Sequence, residues 1–436
     1  MRYHVHQCFH AVGHGTFMTG VVIGREENAF SWVYDCGSKS SNAMSSALAR
    51  TASWSVWPDR INMLVLSHFD DDHVNGLEDL LKQREVDFLV LPFSEWQQRV
   101  RDVAVGGLRG ISASTAQLQL SPATWLQSKN LSARVGTLLL VRGGSSGPQE
   151  SRDPLRLPTG LNPNDLDIDR QREDSLEKRE LSITASTLAG GPGVQVIQHG
   201  TPVHPDGFPM EFMFYNAEVS GKDLGIIKTT ESGDLISKKS GLPLQEVRDK
   251  IEAEIATLGL DKPFSSWPSG WRAALKKCYE GHFGSSSSAR NNISISMYSA
   301  PRITARDLEL CEFFRRHKAK PPTIEIDIGS CFSSDRPALL CTGDLRIDAN
   351  VISAMQYHFG ANRWDRVGVM QVPHHGSEHS WVSGNAKALA PSAFVHCAPG
   401  KGAHPHANVV TDLVGHTVFT ADYKSAVGLK YHFLVP

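Results

Sequence analysis

The segment Ile61-Asn-Met-Leu-Val-Leu-Ser67, running directly into His68-Phe-Asp70-Asp71-Asp72-His73, decides how this chain is read. Its first half is a near-continuous apolar run of strand length, the pattern of a strand buried on both faces. In extended backbone alternate side chains share a face, so His68, Asp70 and Asp72 are expected to point the same way, with His73 following where the chain turns into a helix. Imidazoles and carboxylates packed this closely at a strand end form a nitrogen and oxygen ligand set suited to a divalent metal. An acidic helix N-terminus would explain the aspartates through capping and the helix dipole, but not the histidines flanking them.

Working outward, Asn75 to Arg84 reads as a short helix with Leu77, Leu80 and Leu81 on one face, and Val86 to Leu91 as another buried strand. Before them, Arg2 to Gly37 reads as short strands separated by Gly-rich turns. A second block with the same rhythm begins near Asn292 with ISISMYS and continues through a charge-rich helix expected over Ala305 to His317. It goes on with the strands TIEIDIGS and ALLCTG, a helix from Val351 to His358, the strands VGVMQV and SAFVHCA, a helix after Pro405 and a closing strand, VGLKYHFLV. Residues 101–289 between the blocks read as an insertion into one α/β domain made of 1–100 and 290–436. Within it, 143–180 is rich in Pro, Gly, Ser and charge, as in a long surface loop. Leu244, Val247, Ile251, Ile255 and Leu258, followed by Gly259, predict an amphipathic helix, and GSSSS at 284–288 a flexible joiner.

Three later strands also end in chemistry. ALLCTG is followed by Asp344, VGVMQV by Pro373-His374-His375-Gly376-Ser377, and SAFVHCAPGKGA by His404-Pro405-His406. Strand carboxyl ends are where open α/β sheets place their sites, so these loops are expected to converge with the first on one edge.

Composition narrows the function. The chain has 436 residues and a formal net charge of -2, which excludes a polyanion binder of histone type and makes any nucleic-acid contact local. Its 7 Cys are scattered without a C-x-x-C pair, against both a disulfide framework and a Cys-based zinc finger. The N-terminus lacks a secretory pattern and no apolar run is long enough to span a bilayer, so a soluble, cytoplasmic protein is expected, with no membrane partner.

The order H-x-D-x-D-H, N-x-S, T-G-D, P-H-H-G-S and H-P-H resembles the metallo-β-lactamase fold, and within it the C-terminal nuclease domain of the competence protein ComEC. The matching residues are His68/Asp70/Asp72/His73, Asn292/Ser294, Thr342-Gly343-Asp344, Pro373 to Ser377 and His404-Pro405-His406. Val12-Gly13-His14-Gly15 and Asp35-Cys36-Gly37 also look like that family's opening hairpin and D-x-G turn. The resemblance covers about 10–100 and 290–436. Two positions depart from it: Gln371 replaces a common Lys, and the Asn292/Ser294 segment replaces the wider fold's third-motif His.

The resemblance implies an αββα sandwich with two divalent ions, Zn or Mn with Mg as a further option, on one edge. His68 and Asp70 would hold one ion and Asp72 and His73 the other, with Asp344 as bridge and His374 or His375 completing the set. Asp72 and Asp344 are thus read as catalytic, together with His404 and His406, which would orient or protonate the leaving group. The expected activity is that of a stand-alone nuclease acting on DNA, with a suspected role in degradation or defence against foreign nucleic acid. The alternatives are hydrolysis of a small phosphodiester or phosphocholine-type substrate, and a non-catalytic interaction protein working through the insertion. The insertion itself is expected to form a lid, with homo-oligomer contact or partner docking as the alternative.

Overall fold

The computed structural model describes the chain apart from residues 25–27, 53–56, 106–110, 145–153, 158–191, 218–220, 223, 286–293, 303–305, 318–324, 330–334, 400–403 and 436. The N-terminal part runs β1 (Arg2–Phe9), β2 (Phe17–Ile23), β3 (Ala29–Cys36), α1 (Ser41–Ala52), β4 (Arg60–Val65), α2 (Asp71–Val74), α3 (Leu77–Gln83) and β5 (Glu85–Phe93). The middle supplies α4 (Trp96–Val105), α5 (Ala113–Leu120), α6 (Pro122–Ser128), β6 (Val135–Arg142), β7 (Leu155–Leu157), β8 (Gly193–Gln198), β9 (Val203–Pro205), β10 (Met210–Asn216), β11 (Ile227–Thr229), β12 (Leu235–Ser237), α7 (Leu244–Thr257) and α8 (Trp271–Phe283). The last part holds β13 (Ile295–Pro301), β14 (Arg306–His317), β15 (Glu325–Gly329), β16 (Ala338–Cys341), α9 (Ala349–Phe359), α10 (Ala361–Trp364), β17 (Val367–Gln371), α11 (Asn385–Leu389), β18 (Ala393–Cys397), α12 (Ala407–Asp412), β19 (Val418–Ala421) and β20 (Ser425–Leu434).

Two sheets carry the architecture. The first has the order β15-β14-β20-β1-β2-β3-β4-β5-β6-β8, the second β19-β18-β17-β16-β13-β10-β9-β7. The apolar run at β4 shows why they pack face to face. Its Met63 and Val65 join Trp32, Tyr34, Phe212, Phe214, Leu339, Val369 and Val395 between the sheets, while Ile61, Leu64 and Leu66 turn the other way onto Leu48, Leu77, Leu81 and Trp125 of the helices. A third cluster, with Ile352, Met355, Phe359, Leu389 and Val409, covers the second sheet with α9, α11 and α12. The layering is therefore α/β/β/α, and a strand that buries both faces reads as unbroken apolar sequence.

The stretch 101–289 takes part in both sheets. β6 pairs in parallel with β5 and β8 with β6, while β10 pairs antiparallel with β13 at the heart of the second sheet. The boundary at residue 100 therefore does not separate the sandwich from an addition: a parallel β5–β6 pair requires a crossover, which α4, α5 and α6 provide. The predicted amphipathic helix is α7, and its Val247, Ile251 and Ile255 pack with Trp96, Val100, Leu275 and Tyr279 in a separate helical cluster of α4, α7 and α8. Most of 143–180, and GSSSS beyond Ser285, lie outside the described residues.

One expected helix is a strand. Arg306–His317 is β14, antiparallel to β20, with register shifts between Arg306 and Leu308 and between Glu309 and Cys311. Those shifts break the two-residue alternation, so Leu308, Cys311 and Phe314 fall at helical spacing although β20 offers an open edge to pair with. Arg315, Arg316 and His317 end this strand, and Lys318 and Lys320 lie outside the described residues.

Candidate metal centre

Six loops meet at one end of the sandwich: 10–16 after β1, 37–40 after β3, 66–73 after β4, 342–344 after β16, 372–377 after β17 and the loop after β18. The first three are tightly threaded. A side chain at Gly37 would lie 2.5 Å from the backbone of Asp72 and His73, and Gly37 N donates to Thr16 O at 2.9 Å. The 373–376 turn is set by backbone that side chains seldom adopt: His374 and His375 have φ of 48° and 54°. Consecutive left-handed residues cost energy and persist where the surroundings over-determine them.

The loops bring two groups of ligand atoms together, His68/His73/Asp344 and His14/Asp72/His375, each group lying within 4.8 Å. In the first, His73 Nε2 stands 3.1 Å from Asp344 Oδ1 and His68 Nε2 3.6 Å from Asp344 Oδ2. In the second, Asp72 Oδ2 is 3.3 Å from His14 Nε2 and 3.6 Å from His375 Nε2. Asp344 lies between the groups, since its Oδ1 is also 4.0 Å from His375 Nε2 and its Oδ2 is 3.3 Å from His374 Nε2. Asp70 stands at the rim, its Oδ2 3.8 Å from His68 Nε2.

This grouping corrects the expected partition. His73 falls with His68 and not with Asp72, because α2 begins at Asp71 and successive helical residues diverge by about 100°. The alternation that would have aligned His68, Asp70 and Asp72 stops at Asp70 for the same reason. His14 was not singled out as a ligand from the sequence; its only signal is an imidazole between two glycines whose close packing brings it to Asp72.

A shell of hydrogen bonds orients the imidazoles. His73 donates from Nδ1 to Asp35 Oδ2 at 2.7 Å, and His375 from Nδ1 to Cys397 O at 2.8 Å. Ser67 donates its hydroxyl to Asp35 Oδ2 at 2.8 Å and so accepts from His68 Nδ1 at 2.9 Å. With each Nδ1 engaged outward, Nε2 is the ring nitrogen turned inward, free to present its lone pair once it carries no proton. His68 Nε2 and His375 Nε2 are buried without a hydrogen-bond partner, and His73 Nε2 and Asp344 Oδ1 face only one another, an arrangement costly in itself and suited to a cation. Gln371 is structural: its Oε1 accepts from Thr342 N at 3.0 Å and its Nε2 donates to Thr16 Oγ1 at 3.1 Å. Of the N-x-S segment, Ser294 is buried beside Ser67, whose carbonyl accepts from Ile295 N, and Asn292 lies outside the described residues.

Charge follows geometry. Burial alone would push Asp344 up, yet His374, His73 and His68 hold it well below the usual carboxylate range. Asp72 is held down in the same way by His14 and His375. Burial opposes the charged form of His73, but Asp344 and Asp35 outweigh it and raise its pKa well above the ordinary value. His404 lies at the mouth, its ring centre 5.1 Å from that of His14 and 4.7 Å from that of His406, and burial with these neighbours lowers it to about 4. At neutral pH His404 is therefore an uncharged imidazole, able to orient a group by hydrogen bonding but not carrying an acid's extra proton. His406 Nδ1 accepts from Glu378 N at 3.0 Å.

No described helix is long and apolar enough to cross a membrane. No family model matches the chain, and no curated protein matches it. Among solved structures, the crystal structure of a long form RNase Z from yeast aligns over 91% of this chain and 36% of that one, with 8% identity and a TM-score of 0.29, so the chain spans about a third of that protein's length.

Proposed function

We propose that the chain is a metal-dependent phosphodiester hydrolase of metallo-β-lactamase type, and that its substrate is DNA. The carrying observation is the pair of ligand groups at one end of an α/β/β/α sandwich, sharing Asp344 between them, with inward nitrogen and oxygen atoms left unpartnered. His68, His73 and Asp344 would hold one ion, His14, Asp72 and His375 the other, with His374 and Asp70 at the margin of the first. Divalent ions in such a pair supply an activated water and neutralise charge developing on a phosphoryl oxygen. The chain's own residues do the rest: Asp35, Ser67 and the Cys397 carbonyl fix the imidazoles, and His404 and His406 at the mouth orient the leaving oxygen. The nitrogen and oxygen donors suit Zn²⁺ and Mn²⁺, and Mg²⁺ less well where imidazoles dominate.

The test is elemental analysis of the purified protein, followed by incubation, with and without Mn²⁺ or Zn²⁺, with labelled single- and double-stranded DNA, RNA and bis(p-nitrophenyl) phosphate. Metal-dependent cleavage of DNA supports the reading. Turnover of the small diester alone transfers it to a small-substrate phosphodiesterase, to which a net charge of -2 is well suited. Uptake of no ion after reconstitution sinks it.

A further inference from the structure

Lys39 has no part in the ligand groups, yet it sits against one of them. Its root is rigid: Lys39 N donates to His14 O at 2.7 Å, and the preceding Ser38 bonds Val12 O through its hydroxyl and Asn75 through both its backbone groups. From there the side chain runs to the rim, where Nζ meets His14 Nε2 and stands 3.6 Å from Asp72 Oδ2. Among the described residues it is the one Lys or Arg within 4.0 Å of the Asp72 or Asp344 carboxylates.

The atoms Lys39 touches are those that converge with His375 into a group fit for an ion. An ammonium and a divalent ion compete for the same lone pairs and repel one another, so an ion held in that group would displace Lys39 from it. The side chain is 54% exposed on a flexible four-carbon stem, so it can swing, while its root keeps it at the mouth. Once Asp72 is neutralised, the charge left for the ammonium to meet is that of an anion brought to the centre. A half-exposed ion pair adds little to folding, so stability does not account for its placement.

We propose that Lys39 is an anion-binding residue of this centre: released from His14 and Asp72 when ions are in place, its ammonium takes a non-bridging oxygen of the phosphodiester substrate. This rests on reading the centre as a metal-dependent phosphodiester hydrolase. The test compares reconstituted wild type, Lys39→Met and Lys39→Arg by elemental analysis, calorimetric titration with inorganic phosphate, and KM and kcat on bis(p-nitrophenyl) phosphate. All three are expected to hold the same metal equivalents. Lys39→Met should bind phosphate about tenfold or more weakly, the loss expected for one charge-assisted hydrogen bond. It should raise KM with kcat largely kept, as for a contact made equally in ground and transition states, and Lys39→Arg should retain most of the phosphate affinity. Equal phosphate binding by wild type and Lys39→Met overturns the proposal. So does loss of a metal equivalent in Lys39→Met, which would make Lys39 part of the ion-holding structure. A wild type that takes up no ion removes the metalloenzyme reading itself, and the role of Lys39 with it.

Discussion

At the scale of single residues, Asp35 decides how well the centre is preorganised. It is fully buried, accepts from His73 Nδ1, Ser67 N and the Ser67 hydroxyl, and offers no ligand atom of its own. Asp35→Ala should therefore weaken divalent-metal affinity about 10- to 100-fold while leaving the ligands in place, as removal of an orienting carboxylate does elsewhere. Competition with a chromogenic chelator measures this, and unchanged affinity would show that packing alone orients His73. His73 carries a second prediction. Its pKa is raised well above the ordinary value by Asp344 and Asp35, so the metal-free centre holds a proton there at neutral pH, and an ion must displace it. Metal binding is thus expected to release a proton at pH 7 and to tighten as pH rises. The carboxylates Asp72 and Asp344, held low, contribute nothing to that slope near neutrality. Calorimetry in buffers of different ionisation enthalpy reports the proton count, and a count of zero refutes the assignment.

Between elements, the buried link of β9, β10 and α10 ties the middle of the chain to its last part. Arg363 donates to Glu211 through Nε at 2.7 Å and Nη2 at 3.0 Å, and His204 Nε2 lies 3.2 Å from the same carboxylate. Burial would raise Glu211, but His204 and Arg363 bring it down to about 2 from 4.5. A carboxylate depressed in the folded state stabilises above its unfolded pKa, and that stability, at most about 3 kcal/mol, fades as pH falls through 4.5 towards 2. Urea denaturation at pH 6 and at pH 3.5 should show wild type losing more stability than Glu211→Gln across that interval; parallel losses would mean the link is not coupled to folding. Asp71 makes another connection between elements. Its carboxylate accepts from Ser112 N at 3.0 Å and from the Thr115 hydroxyl, so α5 of the crossover grips the loop between Asp70 and Asp72.

For the whole molecule, ligand groups assembled from both sheets would link metal binding to global stability. Ions that bind only the folded chain stabilise it by mass action, about 2.7 kcal/mol at a hundredfold excess over Kd. Chelation should lower the melting temperature and Mn²⁺ or Zn²⁺ restore it; coincident melting curves would place the ligand groups outside the cooperative fold.

The strand-end placement of the His and Asp residues was legible in the sequence alone. His68, Asp70, Asp72, His73, Asp344, His374, His375, His404 and His406 follow apolar runs whose two-face burial needs no tertiary knowledge, and the structure puts all of them at one end of the sandwich. Tertiary structure alone decided which ligands share a group, because the turn at Asp71 rotates His73 away from Asp72. It alone brought His14 into a ligand group and Lys39 against it, both remote in sequence from Asp72 and reaching it only where glycine lets three backbones touch. It also decided that Arg306–His317 is a strand and that β6, β8 and β10 belong to the sheets. Pairing depends on which edge a segment meets, and a segment's own residues do not encode its neighbour.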